Sequence, residues 1–509
     1  MRKKHLLPRL LIFLFFSLTP FLSFATTYYS RANTAWNIAS TWSTSACGGA
    51  AAVTTPTATD DVIICETYTV NIGTTGTCRS LTINGTANYT AGVATSVGTG
   101  GVIINSGGNI TGTAAGVITT TGGLVLNSVL TSTSVSIRTI TTPGQTISGT
   151  GSLGRLDVSI NTINNGNITV TTALLSTVAS SLTQGVSSSL TYNGNTLAPS
   201  LDASAAGNTV TYGGAAQTVK TATYHNLIIN GSGIKTLGGA ITVNGNLTVN
   251  AGTLSTSTFQ ITGNATGIFT LAASTQLNVG LNSSATDVLF PTNFTKANTS
   301  LALTSTVVYY GNNAQTISAV PDYGNLTLQT FSGSKTANGN LIVEGNLVTT
   351  SPTILDMTTY NLSIRGNYTG TGRLSFSSGA FNIGGSYTNT GTFTCGTGTV
   401  NYCSASAQTV RGVNYYNLTF SNAGDKHLQA SATVGIASTF TRGSMVVTAG
   451  IGSTVTFNGA SPVMTGIATT FTNLTVTTGS LSAPSDLTVT GNLITTTPGT
   501  LNMSSYTLN

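Results

Sequence analysis

Three stretches of this chain are copies of one another, and that self-similarity limits the fold more than any other feature. They are VTYGGAAQTVKTATYHNLII from Val210, VVYYGNNAQTISAVPDYGNLTL from Val307 and VNYCSASAQTVRGVNYYNLTF from Val400. A degenerate fourth copy starts at Val455. The leading aromatics Tyr212, Tyr309, Tyr402 and Phe457 fall 97, 93 and 55 residues apart. Each full copy carries Ala-Gln-Thr (Ala216–Thr218, Ala314–Thr316, Ala407–Thr409), then Tyr-x-Asn-Leu ending at Leu227, Leu326 or Leu418, then Lys235, Lys335 or Lys426. Repeats of this kind stack as supersecondary units that bury their apolar faces on one another.

The second half of each unit repeats as well. GNLVTTSPTILDMTTYNLS from Gly345 and GNLITTTPGTLNMSSYTLN from Gly491 align over nineteen residues with ten identities. The earlier copy runs on after this match and the later one stops at Asn509 inside a strand pattern, so a truncated final coil is expected there. Within the units the apolar residues alternate with period two, as at Ile241/Val243, Leu247/Val249 and Leu474/Val476. Residues two apart share one face of a strand, and Gly, Asn, Ser or Pro separate the short runs. No helical period persists after the first 25 residues.

This pattern predicts an all-β chain folded as a parallel β-helix, or β-solenoid, with an N-terminal cap. The crossover rule makes it right-handed. Coils of ~20–25 residues rising ~4.8 Å each give some 20 coils and a rod of roughly 100 Å. Tandem β-sandwich repeats are the alternative, with about seven strands per repeat; small aliphatic pairs and Asn/Gly/Thr-rich turns favour the solenoid. The expected organisation is a signal peptide at 1–25, a capping β module at 26–90, irregular coils at 91–205, and coils of degenerate ~95-residue repeats at 206–509.

The first segment reads as an export signal. A basic start, MRKKH, precedes the short apolar run LLIFLFFSL, and Ser23 and Ala25 supply the small residues before a cleavage point after Ala25. The run is shorter than the ~20 residues of a membrane span, and no transmembrane segment is expected in the mature chain. Loss of Arg2, Lys3, Lys4 and Arg9 reduces the formal charge of +6 to about +2, which leaves no basic stripe for nucleic acid. Charged residues make up only 6% of the chain, so hydroxyls and amides must keep the surface wet. Trp36 and Trp42, the only tryptophans, fall in the proposed cap and are expected in its core rather than on a sugar platform. The five cysteines (Cys47, Cys65, Cys78, Cys395, Cys403) fit no zinc spacing. Cys395 and Cys403, close in sequence, are the expected disulfide; pairing among the first three stays open.

The unit AQT…Y-x-NL…K…GNL…L-x-M-x-x-Y-x-L resembles the β-strand repeats of large secreted and cell-surface, adhesin-like proteins of Bacteroidota. The opening W-x5-W, the Asp-Val-Ile-Ile at Asp61–Ile64 and the Ser-Leu-Thr-Ile at Ser80–Ile83 resemble the N-terminal module of those proteins and, more distantly, the G8 domain. The resemblance implies export, often through the type IX secretion system, display at the outer surface, and adhesion or gliding-related roles. It carries over no catalytic residue.

The chain's own chemistry agrees. Acids are scattered, and only Asp60 and Asp61 are adjacent, where a strand would point them to opposite faces. A glycosidase needs two facing carboxylates, and a lyase a calcium cluster with a cationic base. No catalytic or metal-ligating residues, and no cofactor, are therefore expected. His225 and His427 read as exposed turn or edge residues. Asn226, Asn325 and Asn417 read as turn residues that satisfy local backbone groups. The repeated tyrosines should pack at coil corners, and Lys235, Lys335 and Lys426 should sit in solvated turns. A non-enzymatic stalk or binding surface is the expected function. Its expected partners are extracellular polysaccharide or other cell surfaces. The oligomeric state and the binding residues stay open. The alternatives are a polysaccharide-active β-helix enzyme and an ice-binding face built on Thr-x-Thr pairs at Thr209, Thr454, Thr475 and Thr488.

Overall fold

The computed structural model describes residues 25–284, 286–329, 333–466 and 470–509. The signal peptide expected at 1–25 lies, apart from Ala25, outside the described residues. The rest is a β-solenoid of about 22 turns with 47% of residues in strand. Among the described residues no tandem sandwich is present. Among the described residues every strand pairing is parallel except the one between Thr27–Ser30 and Trp42–Ser43. No helix among them is long and apolar enough to cross a membrane.

From residue 209 onward most coils have three short strands, hence three faces, and an isolated bridge at Thr292 or Tyr387 stands in where a strand is missing. Thr209–Tyr212 lies on the first face, Gln217–Val219 on the second and Thr223–Tyr224 on the third; Asn226–Ile229 returns to the first face and pairs with Thr209–Tyr212. Alternation then fixes what is inside. Val210 stacks on Leu227, Leu227 on Leu247 and Leu247 on Phe269, all fully buried. Each coil thus satisfies its ladder hydrogen bonds on its neighbours and extends one continuous apolar column.

Part of the chain before residue 209 winds differently. Long strands, Ala94–Ile104, Thr150–Val158 and Asn167–Leu175, run through a corner instead of stopping at it. The bend is made by a register shift, for example between Leu153 and Arg155. An extra residue in one strand increases local twist and redirects the chain.

The repeat length is not a whole number of turns in every case. The leading strand of the second unit, Thr306–Tyr309, stacks through Gln276–Val279, Thr253–Ser255 and Ile234–Leu237 onto Gln217–Val219. It therefore starts on the second face. The first face instead runs from Thr209–Tyr212 through strands starting at Asn226, Leu247, Phe269, Thr299, Asp322, Leu341, Leu362 and Ala380 to Thr399–Tyr402. That path is nine coil steps, and it returns the third unit to the face of the first. The long connection between Val279 and Thr299 completes its coil, with Thr292 bridged to Thr262 of the third face, and carries Phe290 and Phe294 into the core against Phe269.

The start of the chain closes the first coil. Thr27–Ser30 pairs with Asp61–Ile64, and the Trp36 N–H and the Thr34 carbonyl bracket Asn71 of the next strand. Strand edges that would otherwise be open are thereby covered. Trp36 and Trp42 are buried edge to face at 5.0 Å, and the Trp42 indole N–H donates to the Trp36 carbonyl at 2.8 Å. Both rings belong to the core, as expected.

The disulfide expectation is corrected. Cys47 is bonded to Cys65, across 6.0 Å between Cα atoms, while Cys78, Cys395 and Cys403 are free. Cys395 follows the strand Phe393–Thr394 and Cys403 follows Thr399–Tyr402. They flank opposite ends of a four-residue strand, which spans ~13 Å, whereas a disulfide needs Cα atoms within ~7 Å. Proximity in sequence misleads where the chain runs extended between two cysteines. Cys78 is buried, and burial with the nearby Asp61 carboxylate pushes its thiol up to about 12. Peptide mapping without reduction is expected to recover Cys47 linked to Cys65 and to find Cys395 and Cys403 as thiols; a Cys395–Cys403 peptide would contradict this pairing.

Candidate functional site

The repeated polar signature turns inward at the coil corners. In the first unit the Lys220 backbone N–H donates to the Tyr212 hydroxyl at 2.9 Å, the two hydroxyls of Tyr212 and Tyr224 lie 3.0 Å apart, and the Tyr224 hydroxyl donates to the Lys220 carbonyl at 2.5 Å. Proton counting closes this into a ring, with Tyr212 donating to Tyr224. Ser318 with Tyr309 and Tyr323 repeats the ring, as does Arg411 with Tyr402 and Tyr415. All six tyrosines are buried. Burial pushes Tyr212, Tyr309 and Tyr402 up to about 12 and their partners well above the ordinary phenol range. The hydroxyls stay protonated and satisfy backbone groups that the corner takes out of the ladder. Stranding one such group costs ~1–3 kcal/mol.

Gln217, Gln315 and Gln408 act as staples between coils. The Gln217 amide nitrogen donates to the Tyr192 and Gly194 carbonyls of the preceding coil, and its oxygen accepts from the Gly214 N–H. Gln408 does the same with Ile383, Gly385 and Ser404. One coil later a lysine sits directly on each glutamine: Lys235 on Gln217, Lys335 on Gln315, Lys426 on Gln408.

The expectation that these lysines occupy solvated turns is overturned. All three have 0% exposure. Lys335 Nζ donates to the Gly311 carbonyl (2.8 Å), the Asn313 carbonyl (3.0 Å) and Gln315 Oε1 (2.7 Å). Three ammonium hydrogens thus meet three oxygens. Lys235 reaches the Gly231 and Ser232 carbonyls, and Lys426 those of Ser404 and Gly424. Burial lowers the pKa of all three, that of Lys335 to about 8. The signal was in the alternation. In Ile234-Lys235-Thr236-Leu237 the lysine shares a face with the buried Leu237, while Ile234 is the exposed residue.

The asparagines also differ in one respect. Their side chains serve the next coil rather than their own turn. Asn325 Oδ1 accepts from the Asn346 N–H, Asn346 Oδ1 from Asn367, and Asn367 Oδ1 from Ser386, at 2.8–2.9 Å. Asn226 and Asn246 repeat this, and Asn417 accepts from Thr439.

With the signature absorbed by the core, the outward positions define the available surface. On the first face, Ser152, Thr169, Thr191 and Thr211 stack in register, then Thr248, Thr270 and Ser300 beyond Ile228. Further along that face Ser363, Asn382, Asn401, Thr419, Thr441 and Thr465 form a second run. Side chains in it bond along the column: Asn401 Nδ2 to Asn382 Oδ1 at 3.1 Å and Thr465 Oγ1 to Thr441 Oγ1 at 3.3 Å. The Thr-x-Thr pairs do not share one face. Thr209 and Thr211 belong to the first face, Thr454, Thr456 and Thr475 to the third, and Thr488 to neither of these sheets.

The acids are engaged singly. Asp61 pairs with Arg79, Asp157 with Arg138, Asp322 with Lys296 and Glu344 with Arg365. Asp60, Asp356 and Asp486 accept backbone N–H groups. Among the described residues no group of three or more His, Cys, Asp and Glu could hold a metal ion. His225 and His427 are half-buried, on the corner beside Tyr224 and on the strand Lys426–Leu428.

The buried lysines make stability depend on pH with a definite sign. Folded Lys335 loses its proton near pH 8, whereas an unfolded lysine holds it to ~10.4. The unfolded chain binds more protons between these values, so stability rises with pH across that window and is lost as pH falls through about 8. Thermal melts at pH 7.5 and 9.5 should show a larger gain for the wild type than for Lys335→Met, the difference being at most ~3 kcal/mol; equal gains would contradict the assignment.

No family model, curated protein or solved structure matches the chain.

Proposed function

We propose that this protein is a non-catalytic extracellular or cell-surface β-solenoid, an adhesin-like stalk whose outward faces contact glycans, cells or a substratum. The observation that carries the reading is the ordered column of hydroxyl and amide side chains on the first face. Each such group makes a weak polar contact. Repetition at ~4.8 Å along a stiff rod lets many of them engage one polymer or surface, and linked weak contacts add as avidity. The export signal read at 1–25 and the resemblance to Bacteroidota surface repeats support secretion and display, with type IX export as the proposed route. Single acids tied to ion pairs and backbone caps favour a binding role over a hydrolase or lyase. The division of the Thr-x-Thr pairs between sheets argues against an ice-binding face.

The test couples the chain to beads and measures retention on polysaccharides and cells, alongside a screen for reducing ends or unsaturated products. Retention without turnover is expected. A Thr191→Val, Thr211→Val, Thr248→Val chain should lose retention severalfold while melting within about 1 kcal/mol of the wild type, since surface substitutions are close to neutral. Turnover abolished by one Asp→Asn substitution would make it an enzyme. Absence of retention on every surface would leave only a spacer.

A further inference from the structure

The residue that closes each tyrosine ring is free to vary, because only its backbone takes part. It is Lys220 in the first unit, Ser318 in the second and Arg411 in the third. Two of the three are cations, in a chain with 6% charged residues. The phase of the repeats decides where they point. The first and third units both start on the first face, so Lys220 and Arg411 leave the same corner, between the second and third faces. The second unit is shifted by one face, and Ser318 falls on another corner.

Each of the two cations borders a surface cleft. Arg411 lines one of about 550 Å³ with Ser386, Thr388, Thr409 and Gln429, all exposed polar side chains. The guanidinium is held in place: it donates to the Tyr387 hydroxyl at 3.0 Å and the Gly391 carbonyl at 2.8 Å, and its carbon lies 5.0 Å from the Tyr387 ring centroid. Lys220 lines a cleft of about 570 Å³ with Asn161, Ser181 and Ser200. Its ammonium lies 3.3 Å from the Ala198 carbonyl and 3.4 Å from that of Leu197.

We propose that these are two equivalent subsites for one anionic polysaccharide, each taking a carboxylate- or sulfate-bearing sugar. The cation meets the acid group, and the hydroxyl and amide side chains meet the ring hydroxyls. Nine coil steps separate the subsites, ~43 Å along one corner, so a polymer can occupy both and a short oligomer only one. This rests on the glycan-contact reading above and names the glycan's charge.

The experiment measures binding of the full chain to polygalacturonate, a sulfated dextran and neutral dextran, for the wild type, Lys220→Gln, Arg411→Gln and Arg411→Lys. The wild type should bind an acidic polymer more tightly than neutral dextran. Lys220→Gln and Arg411→Gln should each lose on the order of 10²-fold in apparent affinity for it, the avidity of a second site, and Arg411→Lys should keep most of it. Single sugars should show no such loss, and the two acidic polymers decide between carboxylate and sulfate. Lys220→Gln binding like the wild type would overturn the proposal. So would equal retention on neutral dextran, although that outcome would leave the general glycan reading standing; retention on no polymer would remove both.

Discussion

A parallel coil can turn a corner only if the backbone groups leaving one ladder find partners before the next begins. Everything distinctive in this sequence answers that constraint. The tyrosine ring returns one N–H and one carbonyl of the corner residue to hydrogen bonds. The glutamine staples the following turn to the preceding coil, and the lysine one coil later takes up turn carbonyls. Buried polar groups are costly unless every partner is in place. These networks are nearly complete, so they fix the corner in one arrangement where a purely aliphatic corner would leave backbone groups unpaired.

Once the corners are satisfied internally, the outward side chains are released from structural duty. The strands alternate aliphatic inside with Thr, Ser or Asn outside, and the parallel register aligns the outer residues in columns without further design. Repeat length then acts as a phase. A unit that ends after a whole number of turns repeats its corner on the same edge, and one that does not moves it to another. The second unit opens at Thr306, one strand after the first-face strand Thr299–Leu301, and so is shifted by one face; the third unit restores the phase.

Much of this was legible in the sequence. Period-two aliphatics and the short punctuated runs fixed a β-solenoid, and the aromatic opening fixed a cap with both tryptophans inside. Two readings failed for physical reasons. A charge is rarely fully buried, which favours solvent for Lys235, Lys335 and Lys426, yet their own alternation with Leu237, Ala337 and Leu428 places them inside. Pairing Cys395 with Cys403 on proximity ignores the extended strand between them. What the sequence could not show is which corner each unit occupies, because that depends on summing turns over a whole repeat. The equivalence of Lys220 and Arg411 emerges only from the stacked coils.

The central claim is that the repeated signature is an internal scaffold and leaves the surface to other residues. Amine-reactive labelling of the native chain, read residue by residue by mass spectrometry, tests it most directly. Lys296, with its side chain 56% exposed, should react within the first time point, whereas Lys235, Lys335 and Lys426 should react only after unfolding. Labelling of the three repeat lysines at the rate of Lys296 would contradict the account.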